Sequence, residues 1–120
     1  MKILVVDDDF FIRYVLTTEL KYMGYEVSIA GNGSEALSMM QSEDVDFVIT
    51  DFKMPYMNGI ELTRAIRRNN RHQHPPILMI SGTLCDDLKN EALTAGVNGF
   101  IGKPFTMDFL HQQIDSLHVL

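Results

Sequence analysis

Four short runs without a charged residue set the limits on this chain: Ile3-Leu4-Val5-Val6, Phe47-Val48-Ile49-Thr50, Ile77-Leu78-Met79-Ile80 and Gly99-Phe100-Ile101-Gly102. A strand with one wet face alternates apolar and polar residues. These runs do not, so they read as strands of a parallel sheet covered on both faces. Each run is closed by a polar group: Asp7-Asp8, Asp51, Ser81 and Lys103. Ligands of such sheets bind in the crevice at the carboxyl ends of the strands. If the four runs are neighbours, three carboxylates, a hydroxyl and an ammonium meet at one edge. That donor set suits a divalent cation and a phosphoryl group.

Between the runs, apolar residues recur with helical period. Phe10 to Met23 places Ile12, Leu16, Leu20 and Met23 on one face, and Gly24 stands where a left-handed C-cap belongs. Glu26 to Ala30 reads as an edge strand. Ser34 to Gln41 is a short helix entered at Asn32 or Gly33, and Asn58 to Arg68 is a helix capped by Asn58. His74-Pro75-Pro76 marks a loop, because proline cannot sit inside a central strand. Asp86 to Ala95 is a helix ended by Gly96. The last helix runs from Thr106, its N-cap, to Leu117, with Leu110, Ile114 and Leu117 inward. Five βα units in succession require crossovers, which are right-handed in nearly all cases. The expected fold is α/β, a three-layer sandwich, with residues 1–120 as one domain.

Composition narrows the function classes. Hydrophobic residues make up 46% and charged residues 22%, as in a globular chain rather than a disordered one. No apolar stretch approaches the roughly 20 residues of a membrane helix. Met1-Lys2-Ile3 leads straight into a strand pattern, which predicts no export leader. The single cysteine, Cys85, fits a reducing compartment, so the expected location is cytoplasmic. A net charge of -6 and a pI near 5.0 argue against direct nucleic acid binding.

The chemistry rests on Asp7, Asp8 and Asp51. Two like charges about 4 Å apart cost about 4 kcal/mol at an effective dielectric of about 20. Such a cluster persists when a cation offsets it or one group stays protonated. Oxygen-only ligands favour Mg²⁺ (or Mn²⁺). Aspartate is also a nucleophile for phosphoryl transfer. Each residue has a plainer reading. Asp9 suits an N-cap. Asp51 precedes turn chemistry at Met54-Pro55 and Asn58-Gly59. Ser81-Gly82-Thr83 could be a polar loop and Lys103 an exposed lysine. Joint placement after successive strands carries the signal. Arg64, Arg67, Arg68 and Arg71 read as a solvated basic helix end. His72 and His74 lack a third metal donor. His111 and His118 read as surface residues, and Cys85 as a small packing residue at a helix start.

Taken together, Leu4-Val5-Val6-Asp7-Asp8, Asp51 with Met54-Pro55 and Asn58-Gly59, Ser81-Gly82, and Phe100 with Lys103-Pro104-Phe105 resemble the receiver domain of two-component response regulators. The resemblance covers residues 1 to about 117. It implies a flavodoxin-like, doubly wound sheet of order 2-1-3-4-5. It also implies roles: Asp51 as phospho-acceptor, Asp8 as direct Mg²⁺ ligand, Asp7 acting largely through water, and the Lys53 backbone carbonyl as a further ligand. Ser81 and Lys103 would bind phosphoryl oxygens. Phe100 would be the switch aromatic, and Lys53, Gly82 and Thr83 would tune phosphoryl loss. The Lys103-Pro104 bond would be cis. The implied partner is a histidine kinase or histidine phosphotransfer protein. The domain would catalyse its own modification without being a conventional turnover enzyme. Output would leave through residues 86–117, toward a downstream protein, an effector domain or a second copy. Two rivals differ in class. An aspartate-nucleophile phosphatase also spaces its acids as Asp7-x-Asp9, but Phe10-Phe11 replaces the expected β-branched pair and no cap domain is present. A pseudo-receiver would have a dead site, whereas all five functional positions are filled.

Overall fold

The computed structural model describes residues 1–69 and 74–118. Arg71 and His72, named above, lie outside the described residues. Five strands alternate with five helices: β1 (Lys2–Val6), α1 (Phe10–Tyr22), β2 (Glu26–Ala30), α2 (Gly33–Ser42), β3 (Phe47–Asp51), α3 (Gly59–Asn69), β4 (Ile77–Ser81), α4 (Asp86–Ala95), β5 (Gly99–Gly102) and α5 (Met107–His118). All pairings are parallel and the order is β2-β1-β3-β4-β5. The expected sheet and all ten elements are present. Two strands run one residue further than their apolar runs, because ladder pairing does not stop at a polar side chain. Asp51 pairs with Ile80, and Ser81 with Gly102. Both are therefore last rungs of the sheet rather than first loop residues.

Side chains of successive strand residues point to opposite faces, and the charge-free runs supply both. Leu4, Val6, Val48, Ile77 and Met79 pack with Ile60, Leu62, Ile66 and Ala92 on one side. Ile3, Val5, Phe47, Ile49, Leu78, Ile80 and Ile101 pack with Leu16, Leu20, Leu110 and Ile114 on the other. Each such side chain contributes about 1.5–3 kcal/mol when fully buried. The result is a rigid sheet whose carboxyl edge can hold polar groups in place.

Local caps set where the helices begin and end. Asp9 Oδ1 accepts from the Phe11 and Ile12 amides at 2.8 and 3.3 Å, and Asn32 Oδ1 accepts from Glu35 N at 2.8 Å. Asn58 and Glu61 cap each other's amides at 2.8 and 3.0 Å. Thr106 Oγ1 accepts from Phe109 N at 3.1 Å. Gly24 and Gly96 take left-handed backbones, φ 98° and 113°.

Two expectations change. Arg67 is not part of a solvated face. Its Nε and Nη2 donate to Gly96 O at 3.2 and 2.8 Å, Nη1 to Pro75 O at 2.9 Å, and Nη2 to Asn98 Oδ1 at 2.8 Å. A guanidinium's fork of donors matches carbonyls left open at a helix C-terminus, and burial lowers its pKa. Cys85 starts α4 but is exposed and makes no side-chain cap bond, so it is not a packing residue. His111 and His118 lie at the surface as expected, His111 edge-on to Tyr25 with ring centroids 6.5 Å apart and 3.5 Å from Asp115.

Candidate functional site

The carboxyl ends of β1 and β3 lie side by side, so Asp51 at the end of β3 and Asp7 and Asp8 just past β1 converge. Oxygens of Asp7, Asp8 and Asp51 all lie within 4.8 Å of one another. Asp7 and Asp51 are buried, with 2% and 7% of their surface exposed, whereas Asp8 faces solvent. Lys103, just past β5, places Nζ 3.0 Å from Asp51 Oδ1. The lysine is steered there by its own amide, which donates to Ser81 O at 2.9 Å, and it precedes a cis peptide bond to Pro104. Backbone bonds hold the end of β3: Phe52 N donates to Ile80 O and Gly59 N to Phe52 O, both at 2.8 Å.

Burial among apolar strands pushes the Asp7 carboxyl up to about 6. The Asp9 amide, which donates to Asp7 Oδ1 at 2.9 Å, pulls it partly back. Asp51 and Asp8 raise it and Lys103 lowers it. Desolvation is the main cause of the Asp7 shift, with repulsion from the neighbouring acids a lesser one. An oxygen-only donor set, crowded and partly desolvated, fits a hard divalent cation such as Mg²⁺ or Mn²⁺ and lacks the nitrogen or sulfur ligands that favour zinc.

Ser81 reaches the same edge, 3% exposed, but its hydroxyl is turned onto its own loop. Oγ donates to Thr83 O at 2.7 Å and accepts from Thr83 N at 3.0 Å. Phe100 is half-buried against the core on the α2–α4 side. Lys53, Gly82 and Thr83 are exposed at the rim. Among the described residues Lys53 forms no ion pair with the acids. With Phe52, Met54, Asn58, Cys85 and Leu88, Lys53 and Thr83 line an open cavity of about 560 Å³ just past the end of β3. One neighbour escaped the sequence reading. Arg13 Nη1 donates to the backbone carbonyl of Asp7 at 2.7 Å. The available signal was electrostatic: a cation one turn into α1 opposes the helix dipole, so another contact had to hold it.

The response regulator receiver domain profile matches residues 3–115, and the chain belongs to that family. It is a receiver domain of the CheY-like kind, at work in two-component signalling. Chemotaxis protein CheY of Pseudomonas aeruginosa is 41% identical over 118 residues, spanning 98% of this chain and 95% of that protein. The solved chemotaxis protein CheY4 of Vibrio cholerae superposes with a TM-score of 0.92 at 34% identity, covering 97% of both chains. The response regulator TrrA of Thermotoga maritima, solved in complex with Mg²⁺ and BeF, gives 0.84 at 32% identity over 97% of both chains.

Proposed function

We propose that this domain is a phosphorylation-controlled switch in which Asp51 accepts a phosphoryl group from phosphohistidine of a histidine kinase or histidine phosphotransfer protein. The observation that carries the reading is the pairing of buried Asp51 with Lys103 at 3.0 Å inside a cluster of three carboxylates. The carboxylate oxygen not engaged by Lys103 attacks phosphorus. The aspartyl O–P bond forms as the P–N bond breaks, and the electron pair leaves with the imidazole. Lys103 and Ser81 bind phosphoryl oxygens as charge moves onto them. Asp8, Asp51 and the Lys53 carbonyl would hold Mg²⁺, with Asp7 acting largely through water, and the ion would supply positive charge against the acids and the phosphoryl group. The relative solved with Mg²⁺ and BeF supports this ligand chemistry.

Lys53 and Thr83 offer no acid or amide to orient an attacking water. The acyl phosphate therefore decays slowly, and the domain modifies itself rather than turning over as an enzyme. Release of Ser81 from Thr83 loosens the approach to α4, whose first residue has no side-chain cap. The signal then passes to a downstream partner through residues 86–117, with Phe100 following the loop. The test is intact-mass measurement after treatment with a small acyl-phosphate donor and Mg²⁺. One phosphoryl group is gained, and none in Asp51→Asn. An undiminished mass shift in the variant overturns the assignment.

A further inference from the structure

Arg13 lies outside the acceptor machinery, yet it touches the peptide that joins the two neighbouring acids. We propose that Arg13 is a positioning residue: its guanidinium holds the Asp7 carbonyl and thereby fixes the direction in which Asp8 presents its carboxylate to a divalent cation. The inference rests on the reading of the acid cluster as a cation site.

The two acids are anchored very differently. Asp7 is tied at three points, through its amide to Ala30 O at 3.2 Å, through Oδ1 to Asp9 N at 2.9 Å, and through its carbonyl to Arg13 at 2.7 Å. Asp8 is exposed, and no hydrogen bond or ion pair to its carboxylate is found among the described residues. Its aim is set by the backbone alone, and the Asp7–Asp8 peptide plane is the part that Arg13 clamps. A planar peptide rotates as a unit, so freeing the Asp7 carbonyl frees the Asp8 amide with it.

The clamp is itself held. The guanidinium carbon lies 5.8 Å from the Phe10 ring centroid, within cation–π range. On another side it passes Gly31, where a Cβ would stand only 3.1 Å from Nη1. Among the described residues no carboxylate pairs with Arg13. Its cationic head is spent on one carbonyl beside an acid cluster, one turn into a helix where the dipole disfavours it. That placement makes sense if orientation of the acids is what it supplies.

Partners of metal ligands are worth about 10–100-fold in affinity. Arg13→Gln should therefore weaken Mg²⁺ binding about tenfold, measured by calorimetry, and shift the Asp8 amide resonance in the metal-free protein. Phosphorylation by an acyl-phosphate donor should recover at saturating Mg²⁺, raising the Mg²⁺ requirement without lowering the maximal rate. Arg13→Lys, which keeps a donor, should restore part of the affinity. Gly31→Ala displaces the guanidinium without removing its charge and should reproduce the loss in weaker form. Melting temperatures separate this from unfolding, since the affinity change should persist at temperatures where every variant is folded. Wild-type Mg²⁺ affinity in both Arg13→Gln and Gly31→Ala would overturn the proposal. Failure of the wild-type protein to bind Mg²⁺ would instead overturn the reading beneath it.

Discussion

Gly59→Ala tests how tightly β3 and α3 are built together. A Cβ at Gly59 would stand 2.6 Å from the Asp51 carbonyl oxygen and 3.1 Å from Phe52 Cα. Both are backbone atoms that cannot swing aside like a flexible side chain. The closest contact must open by about 0.8 Å to reach ordinary separation at 3.4 Å. Forcing extra volume into packed structure costs about 1–3 kcal/mol. Alanine's helix propensity works the other way, by at most about 1 kcal/mol and less at the first helical residue. The clash wins, leaving a loss of about 1–2 kcal/mol. For a domain of this size that is a fall of several degrees in melting temperature. The strained atom belongs to Asp51, the proposed acceptor, so the phosphorylation rate should fall too; a misplacement of about 1 Å can cost on the order of 100-fold. Urea and thermal melts measure the first effect, and intact mass against time the second. Gly82→Ala is the stability control, because its added Cβ would meet nothing within 4 Å. If Gly59→Ala melts like the wild type and like this control, the close-approach argument is wrong.

Mg²⁺ affinity should depend on pH through Asp7. Burial raises its carboxyl to about 6 in the metal-free protein, and a ligand must be ionised, so affinity should be full above about 6 and fall as pH drops through it. Flat calorimetric affinity between pH 7 and pH 5 would exclude Asp7 from the coupling. Lys53→Asn should speed loss of the phosphoryl group, since an amide at this rim position can orient water where an ammonium cannot; equal decay rates would count against that role.

The strands, the helices and their caps were legible from signals within a few residues: charge-free runs, helical period, a capping side chain or a terminal glycine. The sheet order β2-β1-β3-β4-β5 was legible only through the family resemblance. The convergence of Asp7, Asp8, Asp51 and Lys103 was legible for a related reason. Each closes a strand, and parallel order puts those ends at one edge. What escaped depends on contacts between distant segments. Arg67 meets Gly96 and Asn98 from another helix, so its position at a basic helix end suggested a solvated face. Cys85 looked like packing at a helix start, but the helix begins at an exposed rim. Gly59 read as turn chemistry beside Asn58. Its backbone is not left-handed, and the structural reason for glycine is the nearness of the Asp51 carbonyl.

For the proposed phosphoryl contact, Ser81 is at the right place but in the wrong state. A hydroxyl has one proton to donate, and here that proton goes to Thr83 O while the oxygen accepts from Thr83 N. A phosphoryl oxygen that takes the Ser81 proton must take it from Thr83. Binding of the phosphoryl group would therefore break the bond from Ser81 Oγ to Thr83 O, while the bond from Thr83 N to Oγ does not compete for that proton. Exchanging one hydrogen bond for another nets only about 1 kcal/mol, with bonds to charged acceptors stronger than neutral ones. The exchange is small enough for the two loop states to interconvert and favourable enough for a charged oxygen to tip it. The rigid β4 ladder stops at Ser81, and Gly82 and Thr83 beyond it are exposed. The change is thus channelled toward α4 rather than back into the sheet. A strand that ends on its functional residue gives the site a fixed side and a movable side at adjacent positions.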